Sequence, residues 1–167
     1  MSNYFLVRSK INIDKKIFKK MLFNLNNKYL DQSENLIKFK SKKYNYYIGL
    51  KSENLNKLIR SNKNFIFIMS GSVFNLKDNS INYIFSQFLR HGISFIKKLD
   101  GNFSIVIINI KKDTIITIRD RHGSNLLFFT RSNKSLTIMT KIKTLKNISF
   151  FDLQPNWSLI NTYLFKN

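Results

Sequence analysis

The sequence contains no cysteine, a single proline and only five glycines among its 167 residues. The absence of cysteine excludes disulfide bonds, thiolate metal ligands and a cysteine nucleophile together. The two histidines, His91 and His122, lie far apart in the sequence, so we expect neither a metal site nor a cofactor. No apolar run approaches the ~20 residues of a membrane-spanning helix, and the N-terminus lacks the pattern of a signal peptide. We therefore expect a cytoplasmic protein that does not associate with membranes.

Acidic residues are also scarce: nine Asp and Glu face 29 Lys and Arg, which gives a formal net charge of +20. Such a balance predicts attraction to polyanions, nucleic acid among them. Tyr44, Tyr46 and Tyr47 follow Lys42 and Lys43 and are candidates for stacking on bases, although such a run is also typical of a half-buried strand. The lysines are scattered, and A+T-rich coding produces the same excess of lysine. A basic nucleic-acid-binding module is therefore an alternative and not the favoured interpretation.

Apolar residues make up 43% of the chain and include 16 phenylalanines, which is enough for the core of one domain. Alternating or continuous apolar runs predict strands over residues 4–8, 36–40, 44–50, 65–69, 103–110, 114–119, 125–131 and 135–140. Helical spacing predicts helices over 14–30, over 80–98 with a break at Gly92, and from Trp157 onward, with short helical turns within 52–60 and 141–145. A turn is predicted at residues 70–72. Because strands and helices come in blocks, the pattern favours an α+β fold with antiparallel sheets.

Three segments occur in an order and spacing that resemble one enzyme superfamily: HGISFIKKLDGNFSI (91–105), IRDRHGSNLLFF (118–129) and MTKIKTL (139–145). Together they resemble the N-terminal class II glutamine amidotransferase domain of asparagine synthetases, β-lactam synthetases and lasso peptide cyclases. The resemblance implies the four-layer αββα sandwich of the N-terminal-nucleophile hydrolases. It also implies an amidotransferase-like domain over residues 1–150. Residues 151–167 then resemble the start of a linker to a synthetase domain that the chain lacks.

The same resemblance indicates which residues would carry glutamine hydrolysis, and several of them differ from the active pattern. Ser2 stands at the position of the cysteine nucleophile, and it could act only if Met1 were removed. Ser70 and Gly71 stand at the Asn-Gly oxyanion hole, with Asn75 closing that turn. The serine hydroxyl is a shorter donor, and the loss of one such donor costs ~2.7–4 kcal/mol.

Two further positions bear on the binding of glutamine. The segment 47–52 offers only Lys51 where the family has an arginine for the substrate carboxylate, and lysine is a poor bidentate substitute. Asp100, in the L-D-G turn with Gly101, is retained, and in the family it binds the substrate amine. The resemblance gives the turn of Asp120, Arg121 and Gly123 a structural role rather than a catalytic one.

The sequence thus favours a catalytically inactive glutamine amidotransferase-like domain. We expect it to act as a structural or substrate-shaping subunit of an ATP-dependent, asparagine-synthetase-like enzyme that forms amides on a peptide or small molecule. Its partner would be a synthetase domain or subunit, joined by a peptide substrate if the enzyme modifies peptides. One alternative is an active amidohydrolase with Ser2 as nucleophile, and the other is the nucleic-acid-binding module.

Overall fold

The fold is built from two antiparallel sheets, seen in a computed structural model that describes residues 2–25, 33–147 and 157–158. The first sheet has the strand order β2-β3-β1-β9-β8, and the second has the order β4-β5-β6-β7. The strands are β1 (Asn3–Ser9), β2 (Ser33–Lys40), β3 (Asn45–Ser52), β4 (Ile59–Ser61), β5 (Phe65–Val73), β6 (Gly101–Asn109), β7 (Thr114–Arg119), β8 (Phe128–Arg131) and β9 (Ser135–Met139).

Three α-helices and two 3₁₀ segments complete the described structure. The helices are α1 (Lys15–Phe23), α2 (Ile81–His91) and α3 (Ile93–Ile96), and the 3₁₀ segments are Leu55–Lys57 and Ile142–Asn147. The side chains of Asp14 and Ser80 cap α1 and α2 by accepting backbone N–H bonds, as Asx and Ser side chains do at N-caps. Gly92 takes a positive φ of 65° between α2 and α3 and so separates them.

The core consists of three apolar layers, and each is set by the alternation of side chains along the strands. Tyr4 and Leu6 of β1 face the second sheet and pack between the two sheets with Ile48, Ile68 and Val106. The intervening side chains of the first sheet, such as Phe5, pack against α1. Those of the second sheet pack against α2 and α3. The predicted αββα sandwich is therefore confirmed.

Several predicted boundaries are wrong, for identifiable reasons. Residues 70–72 are not a turn: β5 runs through them to Val73, because β6 pairs with β5 up to Gly101. The strand β4 overlaps the end of the segment 52–60, for which only a helical turn was predicted, because three residues give too little periodicity to indicate a strand. The last predicted hairpin begins only at Phe128, since residues 120–125 form a hydrogen-bonded turn. Residues 26–30 and most of the predicted C-terminal helix lie outside the described residues.

No helix within the described ranges combines the length and apolar character needed to cross a bilayer.

The two ends of the first sheet are formed by different segments of the chain. One end holds the start of β1 and the end of β3, where Asn3 pairs with Lys51. The other holds the β2–β3 and β8–β9 hairpin turns beside Ser9. The predicted catalytic positions lie at the first of these ends.

Candidate functional site

Ser2, the predicted nucleophile position, lies just before β1, where the two sheets meet. Its hydroxyl shares a hydrogen bond of 2.7 Å with the hydroxyl of Ser52 at the end of β3. Ser52 is itself fixed, because its side chain also bonds the backbone N–H and carbonyl of Asn54. The Ser2 hydroxyl therefore contacts another neutral hydroxyl, which is not a general base.

Ser70 lies next to Ser2 because the two sheets pack face to face. Its side chain belongs to β5 of the second sheet and is 2% exposed. Its hydroxyl donates a hydrogen bond of 2.7 Å to the backbone carbonyl of Ser2. The serine at the oxyanion-donor position is thus bonded to the protein's own N-terminal segment.

At Gly71, the second predicted oxyanion position, both the backbone conformation and the neighbouring atoms favour glycine over a residue with a side chain. Its φ is +101°, a conformation that costs L-residues with a side chain ~1–2 kcal/mol or more. A Cβ at this position would collide with the carbonyl oxygen of Asn102 and the side-chain amide of Asn125. The Asn125 amide donates to that same carbonyl at 2.7 Å. Gly71 is exposed, but its backbone lies in close contact with β6 and with the turn that follows β7.

Asn75, Asp100 and Gly101 form one closed junction between β5 and β6. The Asn75 side chain donates to the carbonyl of Lys98 at 2.8 Å and accepts from the backbone N–H of Asp100 at 2.9 Å. Gly101 has a φ of +154°, and a Cβ there would strike the backbone of Ser72. The Asp100 side chain is exposed. Asn75 and Gly101 thus fold the junction, while the carboxylate of Asp100 remains available to solvent.

Lys51, the basic residue in the segment that should hold a substrate carboxylate, already has a carboxylate partner. Its ammonium group lies 3.3 Å from a carboxylate oxygen of Glu34 on β2, and the Lys51 side chain is 11% exposed. Register explains the contact, because Glu34 and Lys51 are directly opposed in the β2–β3 ladder. A glutamine carboxylate would have to compete with this ion pair.

Asp120 organises the turn between β7 and β8. Its two carboxylate oxygens accept from the backbone N–H groups of Ser124 at 3.0 Å and Asn125 at 3.1 Å. Burial acts to raise the pKa of this carboxyl, but hydrogen bonds from the backbone N–H groups of the turn outweigh burial and hold the pKa below its ordinary value. A carboxylate kept charged by its own turn is not suited to proton transfer near neutral pH.

The other two members of this turn differ in exposure and contacts. Gly123 has a φ of +68°, and its carbonyl accepts from the Arg119 guanidinium at 2.6 Å. The side chain of Arg121 is exposed. The turn contacts the candidate site through Asn125, which packs against Gly71.

Four polar residues that adjoin Ser2, Asn3, Ser70 or Gly71 were not predicted from the sequence: Ser52, Ser104, Asn125 and Thr140. Thr140 follows β9 and donates to the side-chain oxygen of Asn3 at 3.3 Å. Ser104 lies opposite Ser70 in the β5–β6 ladder and accepts from the hydroxyl of Tyr4 at 3.1 Å. Burial raises the pKa of the Tyr4 phenol above its usual range, against a smaller opposite effect of this hydrogen bond. Ser52 and Ser104 lie within strands and Thr140 directly follows one, so polar residues in or beside apolar strands are the sequence signal for these three positions.

The tyrosines at the start of β3 differ in how far they are exposed, which decides whether each could stack on a base. Tyr46 and Tyr47 are 0% and 1% exposed, so these two candidates for stacking on bases are excluded, and the alternative of a strand with buried side chains is correct for them. Burial, with the nearby carboxylate of Asp113, raises the pKa of Tyr46 to about 12. Tyr44 is half-buried.

In the part of the chain that the structure describes, no group of three or more His, Cys, Asp or Glu side chains could hold a metal ion.

Comparisons with known proteins bear on the same regions. Residues 76–147 match the family described as the glutamine amidotransferase domain. The chain is 32% identical over 74 residues to "Amidase chyE" of Penicillium rubens, an alignment that covers 44% of this chain and 11% of the amidase. It is 28% identical over 105 residues to "Asparagine synthetase [glutamine-hydrolyzing] 2" of Bacillus subtilis, covering 55% of this chain and 14% of the synthetase. The chain thus spans only about a tenth to a seventh of the length of these curated relatives.

A solved structure resembles the chain over a wider range. It is the glutamine phosphoribosylpyrophosphate amidotransferase of B. subtilis complexed with ADP and GMP, with a TM-score of 0.58 and 12% identity. The match covers 86% of this chain and 43% of that one. At this identity the likeness concerns the fold. The family match begins at residue 76 and so does not include Ser2, Lys51, Ser70 or Gly71.

Proposed function

We propose that the chain is a glutamine amidotransferase-like domain that no longer hydrolyses glutamine. It serves instead as a structural or substrate-shaping subunit of an ATP-dependent, asparagine-synthetase-like enzyme that forms amides. The family match over residues 76–147, the similarity to an amidase and an asparagine synthetase, and the likeness of fold to a glutamine amidotransferase support the first part of this proposal. Residues 1–150 are the amidotransferase-like part in this proposal, and residues 151–167 lead toward the synthetase.

The observation that carries the proposal is the hydrogen bond from the Ser70 hydroxyl to the Ser2 carbonyl. An oxyanion hole works because its donors point at the place where charge develops on the substrate, before the substrate reacts. A donor that is satisfied by the protein backbone is not preorganised for that task. A substrate would have to break this 2.7 Å bond to recruit it.

The substrate-binding side supports the same proposal. Lys51 is paired with Glu34, and its ammonium group lacks the planar fork that binds a carboxylate through two hydrogen bonds. Asp100 remains exposed and could hold an amine. One retained anchor without a carboxylate clamp gives little binding energy for orienting a glutamine amide.

The loss of glutaminase activity can be tested on the purified chain. Intact-mass spectrometry would first establish whether Met1 is present, and glutamate release from glutamine would then be compared between the wild type and Ser2→Ala. We expect equal, background rates in the two proteins. Release that requires Ser2 in a protein lacking Met1 would contradict the proposal and establish the active amidohydrolase.

The subunit role needs a separate reconstitution. Any asparagine-synthetase-like protein that co-purifies with this chain would be assayed for ATP-dependent amide formation with and without the chain. We expect amide formation to fall when the chain is omitted, and the Ser2→Ala and wild-type chains to restore it equally. Restoration by the wild type alone would indicate that ammonia from Ser2-dependent hydrolysis is needed, and no effect of omission would reject the subunit role.

A further inference from the structure

Two adjoining cavities open at the end of the first sheet that is farthest from Ser2. The larger, of about 740 Å³, extends from the Lys10–Asn12 segment across the start of β3 to the β2–β3 hairpin. The smaller, of about 100 Å³, continues past Tyr44 to the β8–β9 hairpin. Lys10 and Tyr44 line both cavities. We call the two together the basic groove.

The charge of the basic groove has one sign. Its lining includes no Asp or Glu and eight basic side chains: Arg8, Lys10, Lys38, Lys40, Lys42, Lys43, Arg131 and Lys134. The five lysines of the larger cavity are all exposed. In residues 2–25, 33–147 and 157–158, none of those five ammonium groups forms an ion pair. Fixed positive charge held in a concave surface concentrates polyanions more strongly than the same charge spread over a convex one.

The aromatic residues of the groove supply a surface on which a planar group can stack. The guanidinium of Arg8 lies 4.6 Å from the centre of the Tyr44 ring, a cation–π contact that fixes the ring in place. Arg8 is itself anchored by a 3.0 Å hydrogen bond to the carbonyl of Asp113. Arg8 lines only the smaller cavity, whereas Tyr44 also lines the larger one. Tyr44 thus contributes to a cavity rich in lysine ammonium groups.

From this arrangement we infer that the basic groove binds single-stranded nucleic acid, with the lysines on its phosphates and a base on Tyr44. Positive grooves with interspersed aromatic rings are the usual means of binding single strands without sequence preference. Lysine binds phosphate as a point charge, and the Tyr44 ring, which lines both cavities, favours a polyanion that carries planar bases over an acidic polypeptide, whose carboxylate side chains have no ring to stack. Of the eight basic residues only Arg8 and Arg131 are arginines, and Arg8 is engaged with Tyr44 and Asp113.

The groove and the candidate site are separated along β1. The strand has seven residues, and six steps of ~3.3 Å place its two end residues ~20 Å apart. Changes in the groove are therefore expected to leave Ser2 and its neighbours intact. The inference does not depend on the proposed subunit role.

The inference can be tested with a fluorescently labelled oligodeoxythymidylate of about 20 nucleotides. Its affinity and salt dependence would be measured for the wild type, for K40E/K42E/K43E in the groove, and for K77E/K97E/K98E. The second triple variant is a matched control, because its three lysines are exposed, lie outside the groove and change the net charge equally. Near-ultraviolet circular dichroism would verify that each variant is folded. A fourth variant, Tyr44→Leu, tests stacking separately.

We expect the groove variant to lose at least about tenfold more affinity than the control. Its slope of log affinity against log salt should be shallower by about two, since each phosphate contact to a single strand contributes ~0.7. Tyr44→Leu should weaken binding about tenfold with little change of slope, as loss of one stacked base predicts. Equal losses in the two triple variants would reject the groove in favour of diffuse net charge. A 20-residue polyglutamate that competes as well as the oligonucleotide would overturn the choice of nucleic acid in favour of an acidic polypeptide.

Discussion

At the scale of single residues, the candidate site is defined by which hydrogen bonds its side chains already make. Ser70 bonds the Ser2 carbonyl, Ser2 bonds Ser52, and Lys51 pairs with Glu34. Each of these three side chains thus has a partner within the chain. Asp100 differs, because its carboxylate is exposed while its backbone is fixed by Asn75. The site therefore has the contacts of a packed structural junction.

Gly71 allows a test of this packing at one residue. We expect Gly71→Ala to lower the free energy of unfolding by about 3 kcal/mol or more, because the Cβ adds a collision with Asn102 and Asn125 to the strain of a positive φ. Gly92→Ala is the matched control: its φ is also positive, but no heavy atom lies within 4 Å of the added Cβ. Its φ of 65° and ψ of −149° strain any side chain, so the substitution should cost about 1–3 kcal/mol, without the added cost of a collision. Urea unfolding of both variants would measure the difference, and equal costs would contradict the close packing at Gly71.

At the scale of structural elements, the turn between β7 and β8 connects the most recognisable motif of the sequence to the candidate site. The Asp120 carboxylate accepts hydrogen bonds from backbone N–H groups of the turn. Asn125 attaches the turn to β6 through a hydrogen bond to a backbone carbonyl, and it packs against Gly71. The motif is conspicuous in the sequence because a buried carboxylate and a positive-φ glycine are both needed for this geometry. Its role in the described structure is to hold strands together.

The charge of Asp120 makes the stability of this turn depend on pH. The folded-state pKa of Asp120 lies below its ordinary value, so its contribution is complete above about pH 4 and is lost as the pH falls through the folded-state pKa. We expect Asp120→Asn to lower the free energy of unfolding by about 1.5–3 kcal/mol at pH 7, since one of two charged acceptors becomes a donor. The difference from the wild type should shrink at pH 3 and below.

Urea titrations of the two proteins at pH 7 and pH 3 would measure this effect. Asp100→Asn is the control, because the Asp100 carboxylate is exposed and only its backbone is fixed. It should change stability by less than about 0.5 kcal/mol at either pH. A penalty for Asp120→Asn that stays constant between the two pH values would show that the carboxylate charge does not stabilise the turn.

At the scale of the whole molecule, the net charge of +20 acts on stability as well as on binding. Self-repulsion opposes the compact state, and salt screens it, with a Debye length of ~10 Å at 0.1 M. We expect added NaCl to raise the free energy of unfolding in urea. The rise should be smaller for K40E/K42E/K43E, since replacing three lysines by glutamates removes six charge units and lowers +20 to +14. A wild-type stability that does not change with salt would contradict this view.

The sequence by itself determined the class of fold, the order of most strands and the family resemblance. These properties are carried by local signals: alternation along a strand, a capping Ser80, and turns whose glycines need a positive φ. Three residues are too few for such a signal, so β4 was not predicted from the sequence. At residues 70–72 the local preference for a turn is outweighed by the pairing of β5 with β6. Long-range pairing competes with local preference, and only the assembled sheet decides the outcome.

Tertiary structure alone decided which polar groups meet. Ser2 and Ser70 are 68 residues apart, and Gly71 and Asn125 come together from different elements, so no spacing rule relates them. The same holds for the basic groove, where lysines that look scattered along the sequence gather because antiparallel hairpins bring their turns to one end of a sheet. Composition determined how much positive charge the chain carries, and strand topology determined where that charge is concentrated.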